Sequence, residues 1–124
     1  MRIRPERVAE TIKREMAEIL ANRLRDPRLG GMISVTDVEV TQDLSLARIF
    51  VSVLAPDDAR DRALEALTHS AGFVRRELAP RLGLREVPEV RFQLDTSIQS
   101  GARVEELLRR IASGEAIPDD DEAR

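Results

Sequence analysis

A single imidazole, no thiol and twenty basic side chains bound the chemistry open to this chain of 124 residues. Without cysteine there are no disulfides, thiolate metal sites or thiol nucleophiles. His69 alone excludes multi-histidine zinc sites and leaves one imidazole for general-base work. It stands beside Ser70 inside a helical pattern, where consecutive residues do not face each other, so a Ser–His couple is geometrically poor. The run Asp119-Asp120-Asp121-Glu122 offers carboxylates to a divalent cation, but no apolar pattern around it fixes a coordination geometry. Gly30-Gly31 has neither a Walker nor a dinucleotide pattern around it. The chain is therefore expected not to be an enzyme and to need no cofactor or metal.

The basic side chains point elsewhere. All but Lys13 are arginine, whose planar fork suits bidentate contacts to phosphate and guanine. A GC-rich genome would produce the same bias, so the ratio decides nothing by itself. Charge placement says more. Residues 1–30 carry a balance of +3, residues 31–58 carry −4, and residues 113–124 another −4. The overall −3 thus hides a basic entry, an acidic middle and an acidic exit, as a chain with an anionic partner on one face would have. There is no Trp or Tyr. Of three phenylalanines, Phe50 and Phe92 are expected in the core, so contact with RNA would run through arginine, backbone amides and shape rather than stacked aromatics.

Positioning such a face requires a small α+β domain. Val8, Ile12, Met16, Ile19 and Leu20 recur at helical spacing from about Pro5 to Arg25, with Asp26-Pro27 as the stop. Residues 27–31 read as a loop. Met32 to Val40 is a strand whose alternation shifts near Thr36 or Asp37, which predicts a bulge. Leu46 to Leu54 alternates cleanly, with Ala47, Ile49, Val51 and Val53 on one face, and Thr41 to Ser45 closes the hairpin around Asp43. Asp57 and Asp58 offer an N-cap to a long helical pattern reaching Leu82. Gly72 interrupts that pattern, and a glycine there calls for a kink or a close approach to the backbone. Val90, Phe92 and Leu94 make a third strand, and a short helix over 101–112 follows Asp95-Thr96-Ser97. The expected division is a folded unit over 1–112 and an acidic disordered tail over 113–124. No apolar run approaches the length of a bilayer span, so the default is a cytoplasmic protein.

Several segments together resemble one family. They are Arg7-Val8-Ala9-Glu10, Asp26-Pro27-Arg28-Leu29-Gly30, Thr36-Asp37-Val38-Glu39-Val40, Asp43-Leu44 with Ala47, and Gly72 with Arg75 and Leu78. Leu82, Leu84-Arg85, Pro88-Glu89, Phe92, Asp95 and Ser97 complete the series. In this order, from about Arg7 to Ile111, the chain resembles bacterial ribosome-binding factor A. The resemblance implies a single KH-like domain of type II order (helix, strand, strand, kinked helix pair, strand, helix) with a three-stranded sheet. In place of a GxxG loop the family has an Ala-x-Gly kink, here written Ser70-Ala71-Gly72. The position before Asp43 is often arginine in relatives and is Gln42 here, which removes one basic contact.

The function so implied is binding to free or immature 30S subunits through 16S rRNA, supporting late rRNA processing and subunit maturation without catalysis, in a role tied to growth in the cold. Neighbouring ribosomal proteins are further expected partners, with no membrane and no small-molecule substrate, and the chain is expected to act as a monomer. Phosphate contacts are expected from Arg4, Arg7, Lys13, Arg14, Arg28, Arg75, Arg76, Arg81 and Arg85, with backbone amides at Ser70, Ala71 and Gly72. Arg75 has a competing structural role in pairing with Asp95 or Glu89. Two other classes stay open: an adaptor docking a protein through its sheet, and a ligand-sensing α+β regulatory domain.

Overall fold

The computed structural model describes residues 3–24, 26–29, 32–95, 108, 109 and 112. The expected helix over 101–112, the cap at Thr96-Ser97, the Gly30-Gly31 breakers and the acidic tail lie wholly or mostly outside those residues.

Helix α1 spans Pro5–Asn22, with proline at its first position, where the missing N–H costs nothing. It ends three residues before the expected Arg25. The Leu24 amide reaches back to the Ile19 carbonyl (3.1 Å), and this wider wrap draws Leu24 onto the core. The expected loop that follows holds a single 3-10 turn, Pro27–Leu29.

Strand β1 (Met32–Val40) pairs antiparallel with β2 (Leu46–Leu54), and the register shifts between Val35 and Asp37, leaving Thr36 as the extra residue of a bulge. The bulge lets Ile33/Val35 and Val38/Val40 both face inward. At the hairpin tip one Asp43 oxygen accepts from the Ser45 hydroxyl (2.7 Å), the Thr41 hydroxyl (2.8 Å) and the Ser45 amide (3.1 Å). Those donors, the Ser45 hydroxyl foremost, hold its carboxyl below the usual range.

Helix α2 (Asp57–His69) and helix α3 (Ala71–Leu82) follow, then β3 (Glu89–Leu94), which runs parallel to β2 and completes the sheet in the order β1-β2-β3. The expected aspartate N-cap does not form. Pro56 holds that position, while Asp57 and Asp58 lie in the first turn and pair with Arg60 and Arg62. Helix α3 ends at Gly83, whose φ of +64° is a left-handed value that an L side chain adopts only under strain.

All three helices cover one face of the sheet. Ala47, Ile49, Val51 and Val53 are buried against Val8, Ile12, Met16 and Ile19 of α1, Leu67 of α2, and Val74 and Leu78 of α3. Phe92 joins this core. Phe50 does not: it pairs with Asp37 and Gln93 on the outward face of β2, beside Arg48 and Ser52, and is only half-buried. Its position is even where the core residues of β2 are odd, and a strand reverses direction at every residue.

Candidate nucleic-acid interface

Helices α1 and α3 lie antiparallel. Arg81 near the end of α3 meets Glu15 and Glu18 of α1, while Glu77, one turn earlier, meets Arg23 beyond α1's last turn. The start of α1 is thereby brought to the end of α3, and the segment 83–88 crosses there before entering β3. Two adjoining grooves form at this corner. One, of about 480 Å³, is lined by Ile3, Arg4, Arg7, Val8, Thr11, Leu82 and Leu84. The other, of about 790 Å³, shares Ile3 and Leu84 and adds Arg75, Arg85, Glu86 and Asp43 among its walls. Four of the expected arginines, Arg4, Arg7, Arg75 and Arg85, therefore converge from three segments. None of the four has a carboxylate partner among the described residues.

Arg75 pairs with neither expected carboxylate. Its Nε donates to the Pro88 carbonyl (3.1 Å) and its Nη2 to the Val87 carbonyl (2.9 Å), which pins the 83–88 segment to α3. Backbone carbonyls satisfy two donors without neutralising the guanidinium. The residue is at once structural and still cationic.

The second assembly lies at the opposite end of α3, about 16 Å away along an eleven-step helix axis. Ser70 alone breaks the long helical pattern, at φ −88° and ψ 0°. Its amide bonds to the carbonyls of Ala66 (3.1 Å) and Leu67 (3.0 Å), and its carbonyl accepts from Val74 (2.9 Å), so it ends one helix and starts the next. The Ser70 hydroxyl makes no cap. Gly72 sits inside the first turn of α3, exposed, and a Cβ there would meet only Arg76 Nη1 at 3.8 Å. The kink is thus at Ser70, and among the described residues nothing approaches Gly72 closely. Ala71 and Gly72 lie in the first turn of α3, where amides have no acceptor within their own helix, and the Arg76 side chain reaches back toward Gly72.

The remaining candidates divide. Arg81 is the internal tie of α1 to α3: its Nη1 lies 2.5 Å from Glu18 Oε2 and 3.2 Å from Glu15 Oε2, its Nη2 lies 3.8 Å from Glu77, and its side chain is 21% exposed. Arg28 grips Asp26 through two guanidinium contacts (2.8 and 3.1 Å) and its own amide (2.9 Å). These bonds, the side-chain ones foremost, draw the Asp26 carboxyl down to about 2. Lys13 and Arg14 are exposed on α1 and without carboxylate partners among the described residues, but they line neither groove.

Comparison with known proteins agrees with this architecture. The profile described as ribosome-binding factor A matches residues 4–108. The chain belongs to the ribosome-binding factor A family. A ribosome-binding factor A from Desulforamulus reducens is 50% identical over 115 residues, 93% of this chain and 95% of that protein. The crystal structure of ribosome-binding factor A from Thermus thermophilus is similar at a TM-score of 0.64 and 27% identity, over 73% of this chain and 93% of that one. The Thermus thermophilus factor as fitted into the cryo-EM map of a 30S–RbfA complex is similar at a TM-score of 0.60 and 26% identity, over 73% of this chain and 94% of that one.

Within this family member, sequence reasoning missed the apolar floor between the arginines. Ile3 and Leu84 lie outside every helix and strand, so no periodicity marked them. Hydrophobicity beside arginine was the signal at Ile3, while Leu84 enters only as part of the family series. Among the described residues no group of three or more His, Asp or Glu is placed to hold a metal ion, and no helix is long and apolar enough to cross a membrane.

Proposed function

We propose that this chain binds the 30S ribosomal subunit through 16S rRNA, with the helical side of the domain toward the RNA, and supports late 16S rRNA processing and subunit maturation as a non-catalytic cytoplasmic monomer. The carrying observation is the convergence of Arg4, Arg7, Arg75 and Arg85 at one corner, none of them in an ion pair among the described residues, although Asp43, Glu86 and Glu89 also line the groove of Arg75 and Arg85. The homology model of the Thermus thermophilus relative fitted into the map of a 30S complex adds to the reading. Arg76 and the first-turn amides of α3 would hold a second phosphate at the far end of that helix. Arg28 and Arg81 are placed among the scaffold rather than the contacts, because carboxylates already occupy their guanidinium groups.

The face of the sheet that none of α1, α2 and α3 covers, with Arg48, Phe50, Ser52 and Leu54, would take a neighbouring ribosomal protein. The acidic residues 115–122 would be repelled by rRNA, so the folded unit over 1–112 carries the binding. Co-sedimentation of the purified chain with isolated small subunits tests the proposal. Binding that falls by orders of magnitude from low to moderate salt is expected. Binding indifferent to salt would instead favour an adaptor that docks protein.

A further inference from the structure

We infer that the groove between the start of α1 and the end of α3 takes a single unstacked nucleobase, so that the RNA recognised at this corner is single-stranded or bulged rather than continuous duplex. The inference rests on the RNA reading above and adds the class of RNA to it.

The walls argue for this occupant. Val8, Leu82, Leu84 and Ile3 supply an apolar floor, and Arg4 and Arg7 stand on its rim. Ile3 is 45% exposed, so part of that floor faces solvent. A volume of about 480 Å³ falls within the roughly 300–1,000 Å³ range of small-ligand sites. An apolar slot bounded by unpaired cations suits a ligand that is flat and apolar in one part and anionic in the next. A nucleotide has that division: its base would leave water for the floor while the flanking phosphates stay on the arginines. The adjoining groove sets Asp43, Glu86 and Glu89 beside Arg75 and Arg85, so the flanking phosphates are assigned to Arg4 and Arg7 rather than to that groove.

Duplex RNA fits poorly here. Its bases are stacked and paired, its rigid backbone offers only phosphates and 2′-hydroxyls to such a corner, and the apolar floor would remain wet. Neither groove includes the kink residues Ser70, Ala71 and Gly72, so this is a second contact with its own chemistry.

Two probes of equal charge test it with the full chain. One is an eight-nucleotide oligouridylate, and the other an abasic ribose–phosphate oligomer of the same length. Oligouridylate is expected to bind about fivefold more tightly, the gain from apolar surface removed from water on the floor. Ile3→Ser, at an exposed position where folding is safe, should shrink that ratio toward one and leave the salt dependence unchanged. Leu84→Ala should do the same. Arg7→Ala should weaken both probes in parallel and keep the ratio. Equal affinity for the two probes, tighter binding of an eight-base-pair duplex, or an unchanged ratio in both Ile3→Ser and Leu84→Ala would overturn the inference. Discrimination of base from abasic backbone without co-sedimentation with subunits would count against the proposed function alone. Co-sedimentation without discrimination would count against the groove alone.

Discussion

Arg81 and Glu18, sixty-three residues apart in the chain, join α3 to α1, Nη1 to Oε2 at 2.5 Å, with Glu15 on the same nitrogen at 3.2 Å. This contact holds the two helices whose ends build the basic corner. It also removes Arg81 from the cations that RNA could use. The pairing keeps Glu18 in its charged form, its carboxyl lowered by the Arg81 hydrogen bond before any other cause.

Arg81→Ala should therefore act on folding. Three carboxylates, Glu15, Glu18 and Glu77, lose their common cation and repel across the helix interface. A fall of several degrees in Tm is expected, with affinity for small subunits unchanged once the protein is folded. Thermal denaturation beside co-sedimentation separates the two readouts. Lost binding at an unchanged Tm would return Arg81 to the interface.

Arg7→Ala and Arg85→Ala should do the opposite. Each removes an exposed, unpaired guanidinium, so Tm should stay put while the slope of log affinity against log salt shrinks by about 0.7–0.9 per variant. Titrating the full chain with small-subunit RNA at several salt concentrations measures it. An undiminished slope in both variants would remove the corner from the phosphate contacts.

Gly72→Ala has no clash to make among the described residues, since an added Cβ meets only the flexible end of Arg76 at 3.8 Å. Alanine is the better helix former, and about 0.5 kcal/mol of added stability is expected. Subunit binding should nevertheless weaken, because the methyl group stands where an RNA phosphate would approach the α3 amides. Greater stability with full binding would leave Gly72 without a functional role.

Acid should weaken the turn that holds Asp26. Its carboxyl, ordinarily at 3.8, lies at about 2 in the folded chain, so the unfolded chain binds more protons between these values. The stabilisation is full above about 3.8 and is lost as pH falls toward 2. Asp26→Asn should flatten this part of the stability–pH curve, and Arg28→Ala should move the carboxyl back up in an NMR titration. A slope that persists in Asp26→Asn would assign the acid response to other groups.

The two strand phenylalanines should differ. Phe92, 7% exposed, packs in the core, and Phe92→Ala should cost about 3–5 kcal/mol. Phe50 lies half-buried on the outward face, so Phe50→Ala should cost clearly less. Chemical denaturation of both variants checks the order, and equal losses would show the outward face to be as closely packed as the core.

Both hairpin strands and the bulge at Thr36 were legible in the sequence, because period-two alternation and its one-residue slip are local properties of β chain. The long helical pattern reaching Leu82 was equally plain. Gly72, a poor helix former, points to a break there, whereas the chain turns at Ser70. That choice depends on how Leu67 and Val74 can both reach the same core, which no local propensity encodes. The expected role of Phe50 failed for a related reason: its hydrophobicity outweighed the parity of its position.

The order of elements, their inward faces and an excess of arginine without aromatic platforms were set by the sequence alone, since each follows from residue type and spacing along one element. Which arginines are available for a partner was decided only in three dimensions. Arg4, Arg7, Arg14, Arg28, Arg76 and Arg81 look alike as letters. Arg28 is taken by a carboxylate two residues away, and Arg81 by carboxylates more than sixty residues away. Arg75 spends two donors on carbonyls twelve and thirteen residues on, yet keeps its charge. Ion pairing falls off over a few ångströms, so the free charge of a residue depends on distances that only the packed chain brings into being.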